Sequence, residues 1–88
     1  MEIYVGNLTH TMTARQVEEL FAAYGRVRTV RIVTDHFTRQ SKNFGYVVMA
    51  MREDGRNALA ALHGRNVNDR LLVVKEARHR DERMGSGW

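Results

Sequence analysis

The sequence predicts an α+β domain in the order β-α-β-β-α-β, a four-stranded antiparallel sheet with two helices on one face. Three observations carry this. Four segments rich in β-branched and aromatic residues are bounded by turn residues. Two stretches between them repeat apolar residues at helical spacing. Both of those stretches are apolar along one stripe only, so each has a single face to bury; if both lie on one side of the sheet, the far side is left to solvent.

The first strand is read over residues 2–8, where Ile3 and Val5 share one face and Tyr4 takes the other, ending at Gly6-Asn7. The first helix has a marked start. Thr13 is an N-cap, Gln16 stands at the capping-box position, and Met12 and Val17 flank the cap as a hydrophobic staple. Val17, Leu20, Phe21 and Tyr24 then form the apolar stripe, and Gly25 stops the helix. Residues 26–33 are a second strand and residues 43–50 a third. The polar loop from Thr34 to Lys42 between them is short enough for an antiparallel hairpin. A second helix over residues 52–63 lacks a strong N-cap, buries Gly55, Ala58, Leu59 and Leu62, and ends at Gly64. Gly55 costs ~1 kcal/mol against Ala there, and its small size would let the helix sit close. A turn-rich stretch from Arg65 to Asp69 leads to the last strand, Leu71 to Glu76. Apolar periodicity stops after Ala77, so the chain reads as one domain over residues 1–78 and a flexible tail over residues 79–88.

Strand parity locates the candidate site. If Val47 and Met49 face the core, then Phe44 and Tyr46 stand on the open face beside Tyr4. Aromatics on a solvated sheet suit base stacking, worth ~1–3 kcal/mol per base. Lys42 lies on the same side as Phe44, two residues before it, and Arg31 and Lys75 add positive charge at the flanks. Parity by itself leaves an alternative open. Both faces of the third strand are apolar, which also suits a sheet covered on both sides.

Two segments resemble the signatures of the RNA-recognition-motif family. Ile3-Tyr4-Val5-Gly6-Asn7-Leu8 matches the six-residue signature throughout, and the segment from Lys42 to Met49 resembles the eight-residue one. Asn43 stands where Gly is usual, and Met49 replaces an aromatic on the core side. The resemblance runs from Met1 to Arg78. It implies a ferredoxin-like βαββαβ fold, base stacking by Tyr4 and Phe44, sugar contact by Tyr46 and a phosphate partner in Lys42. It also implies further RNA contacts from the loop between the second and third strands, which contains Arg39, and from residues after the last strand, including Lys75 and Arg78. The signature placed directly after Met1, and the ending Lys75-Glu76-Ala77-Arg78, resemble the short single-domain bacterial members. Similar short proteins occur in plant organelles.

Composition fits this reading and excludes others. Fourteen Lys and Arg against ten Asp and Glu give a net charge of +4, which attracts polyanions. No cysteine is present and none of His10, His36, His63 and His79 is spaced for metal ligation, so no metal or cofactor is expected. Other ferredoxin-like proteins are excluded as well. A metal carrier needs a Cys pair, and a small phosphatase needs an Arg in a Gly-rich first loop, whereas residues 7–12 hold none. The chain is therefore not expected to be an enzyme. The expected partner is single-stranded RNA. Single-stranded DNA is also admitted, because stacking does not read the 2′-OH. The alternative is a protein partner, but protein-binding versions usually lose stacking aromatics and this chain keeps three. With no signal peptide or membrane span, the expectation is a cytoplasmic monomer.

Overall fold

The computed structural model describes residues 1–34 and 41–77, and of Thr34 and residues 41–43 the backbone only. Its elements are β1 (Glu2–Gly6), α1 (Ala14–Ala22), β2 (Val27–Thr34), β3 (Ser41–Met49), α2 (Arg52–Leu62), β4 (Asn66–Val67), β5 (Arg70–Leu71) and β6 (Val73–Glu76). The main sheet runs β2-β3-β1-β6 with every neighbouring pair antiparallel. This is the α+β, ferredoxin-like architecture read from the sequence.

The alternation of β1 decides which face is covered. Ile3 and Val5 are fully buried, and across the sheet Val47, Met49 and Val74 lie on the same side. Val17 and Phe21 of α1 and Ala58 and Leu62 of α2 close over them, joined by Leu8, Met12 and Leu72. Both helices therefore share one face of the sheet. Tyr4, Phe44 and Tyr46 belong to the opposite face and are only half-buried. Among the described residues, no second layer covers the other face of β3. Met49, the departure from the family signature, is buried in the core, where its unbranched side chain fills space.

Local sequence accounts for the helices. Thr13 Oγ1 accepts from the Gln16 N–H at 3.1 Å and Gln16 Oε1 accepts from the Thr13 N–H at 2.9 Å, completing the capping box. The helix ends at Ala22, so Tyr24 packs against the core from the following turn. No side chain caps α2, whose N-cap is Met51, but Glu53 and Asp54 put negative charge in its first turn, where the helix dipole favours it. A Cβ on Gly55 would come within 2.6 Å of the Met1 sulfur, so its small size is used against the residue preceding β1.

One region differs from the sequence reading. The last strand is not continuous over Leu71 to Glu76. Asn68 and Asp69 both adopt left-handed backbone angles (φ 55° and 66°) and turn β4 into β5 as a separate two-stranded ribbon. Leu72 then breaks the strand. It is buried, its N–H donates to the Arg65 carbonyl, and its own carbonyl accepts from the Gly64 N–H. The Val74 N–H, on the outer edge of β6, donates to His63 Nδ1 at 3.0 Å. The segment after α2 thereby closes an edge that would otherwise present free backbone groups. At its start β3 is longer than read, since Ser41 already pairs with Thr34. Asn43, read as the first residue of the strand, lies two residues inside it.

Candidate nucleic-acid interface

The open face is set row by row through the strand register. Tyr4 lies opposite Tyr46 on β3 and Lys75 on β6, while Gly6 lies opposite Phe44 and Val73. Tyr46 in turn lies opposite Arg31 on β2. Period-two alternation places all of these side chains on the face the helices leave bare. Glu2, two residues before Tyr4 and opposite Val48, shares that face.

The three rings form one cluster. Tyr4 and Phe44 have centroids 5.6 Å apart and planes inclined by 30°. Tyr46 meets Tyr4 at 6.0 Å and 68°, and meets Phe44 at 6.0 Å and 86°, both edge-on. Such tilted and edge-to-face pairs hold one another's orientation by about 0.5–1.5 kcal/mol each. Tyr4 and Phe44, being closest to parallel, offer neighbouring flat faces.

Gly6 makes this arrangement possible. A Cβ there would fall 2.6 Å from the Tyr4 hydroxyl and 2.8 Å from a ring carbon, so the Tyr4 ring leans along the strand over the bare Gly6 backbone. That lean carries the ring toward Phe44. In the sequence Gly6 reads as a strand end, and nothing in its spacing reveals the ring above it.

Two cations flank the rings. Lys75 Nζ lies 5.3 Å from the Tyr4 centroid, and the Arg31 guanidinium carbon lies 5.0 Å from that of Tyr46. Contacts of this kind at exposed sites contribute about 0.5–1 kcal/mol.

Five of the eight residues expected at the site are thus brought together: Tyr4, Phe44, Tyr46, Arg31 and Lys75. Lys42 occupies a β3 position whose side chain lies outside the described residues. Arg39 and Arg78 lie outside them altogether. Among the described residues no group of three or more His, Cys, Asp or Glu could hold a metal ion, and no helix is long and apolar enough to cross a membrane.

Comparison with known proteins identifies the family. The family model of the RNA recognition motif matches residues 3–73. RbpA of Nostoc sp. strain PCC 7120 is 39% identical over 87 residues, covering 99% of this chain and 85% of the relative. The chloroplastic 28 kDa ribonucleoprotein of Spinacia oleracea is 36% identical over 81 residues, or 92% of this chain and 35% of the relative. Among solved structures, that of RNA binding protein PG1 superposes with a TM-score of 0.88 at 39% identity, covering 91% of this chain and 96% of its own. A SXL-lethal protein/RNA complex superposes at 0.83 with 32% identity, covering 88% of this chain and 46% of its own. The chain belongs to the RNA recognition motif family.

Proposed function

We propose that this protein binds single-stranded RNA by laying bases on the uncovered face of its sheet. The family and its RNA-binding relatives support the partner, and support a binding protein rather than an enzyme. The observation that carries the mechanism is the one-sided core. Both helices cover a single face, and the three clustered rings stand on the other.

In this reading Tyr4 and Phe44 each take one base, and Tyr46, edge-on to both, lies against sugar. Arg31 and Lys75 rest on Tyr46 and Tyr4 in the free protein. A stacked base is worth ~1–3 kcal/mol, against ~0.5–1 kcal/mol for an exposed cation–π contact. Bases therefore displace the cations, which swing toward the phosphates. Lys42, Arg39 and Arg78 add further phosphate contacts beyond the rings.

Competition against a fluorescently labelled single-stranded RNA tests this reading. Unlabelled single strands, RNA or DNA, should displace the label, whereas a perfect RNA duplex should compete at least about tenfold less well, because paired bases cannot lie on the rings. Equal competition by the duplex would refute the stacking mechanism.

A further inference from the structure

The end of β1 gathers features that neither the core nor the ring cluster explains. The chain has three non-glycine residues with positive φ among those described, Asn7, Asn68 and Asp69, and all three lead into it. Asn7, at φ 62°, ends β1, while Asn68 and Asp69 turn the chain into Arg70. Both ends of the Asn7 amide are engaged: Nδ2 donates to the Leu71 carbonyl at 2.8 Å, and Oδ1 accepts from Arg70 Nη1 at 3.1 Å. A neutral side chain, itself anchored on the Leu71 carbonyl, thus holds the guanidinium through one hydrogen bond and leaves its charge whole. Arg15, by contrast, meets the Glu19 carboxylate at 3.8 Å. Arg70 is exposed, and no carboxylate among the described residues lies within ion-pair distance of it. One of its five donors is used, leaving most of a planar fork shaped for phosphate oxygens. Its clip, Asn7, is the next residue after Gly6, in the row Val73–Gly6–Phe44.

We propose that Arg70, clipped to the end of β1 by Asn7, binds a phosphate of the RNA strand as that strand leaves the Phe44 ring. The inference rests on the stacking reading above and adds a fixed anion contact at the end of the platform. Asn7 acts as a positioning residue. Its left-handed backbone turns its amide toward β5, and the clip removes side-chain freedom that Arg70 would otherwise lose on binding.

The test is the salt dependence of single-stranded RNA affinity, measured on the full chain. Arg70→Gln removes the charge but can still donate to Asn7, and should lower the slope of log K against log salt by about 0.7, the value for one phosphate on a single strand. Arg70→Lys keeps the charge and should keep the slope, which separates lost charge from disturbed folding. Asn7→Gly preserves the backbone conformation and removes the clip, and should weaken binding about threefold with the slope retained. An unchanged slope in Arg70→Gln, with Phe44→Ala still weakening binding, would overturn the Arg70 contact alone. Unchanged binding in both would overturn the stacking reading with it. Wild-type affinity in Asn7→Gly would overturn the positioning role.

Discussion

Truncating Phe44 to alanine should weaken single-stranded RNA binding about 5- to 150-fold, the equivalent of ~1–3 kcal/mol for one stacked base. The protein should remain folded. Phe44 lies outside the buried core, and what its ring gives the free protein is its contact with Tyr4 and Tyr46, of order 1 kcal/mol. Fluorescence anisotropy gives the affinity, and thermal unfolding of the same sample gives the stability. A variant that binds like wild type, or one whose stability falls by several kcal/mol, would mean that Phe44 belongs to the packing rather than to the interface.

The opposite pattern is expected on the covered face. Phe21 is fully buried between α1 and the sheet, and Phe21→Ala should cost ~3–5 kcal/mol of stability through lost transfer energy and an unfilled cavity. Native domains hold ~5–15 kcal/mol in all, so urea should unfold this variant at a much lower midpoint. Where it is still folded, its RNA affinity should stay near that of wild type. A loss below about 1 kcal/mol would contradict the placement of the core beneath the helices. Together the two phenylalanines separate the faces: one governs binding and the other governs folding.

Much of this was legible in the sequence, because it is written at short range. Thr13 and Gln16 announce the start of α1 three residues apart, and Ile3, Tyr4 and Val5 alternate as a half-buried strand must. Parity grouped Tyr4, Phe44 and Tyr46 correctly but left the side of the covering layer open, since β3 is apolar on both faces. Burial of Val47 and Met49 closes that question. What stayed hidden is of two kinds. The β4–β5 ribbon depends on two consecutive left-handed residues, Asn68 and Asp69, without the Gly that usually marks such a turn. The other features arise from contacts that no local pattern encodes. Asn7 and Arg70 are 63 residues apart, and the Gly6 backbone matters only because the Tyr4 ring leans over it.

The central claim is that RNA lies on the face opposite the helices, and amide chemical shifts followed during titration with a short single-stranded RNA test it most directly. The largest changes are expected at Tyr4 and Gly6 of β1 and at Phe44 and Tyr46 of β3, with smaller ones at Arg31 and Lys75 and little along α1 or the outer side of α2. Changes concentrated on the helices, with those six amides unmoved, would contradict it.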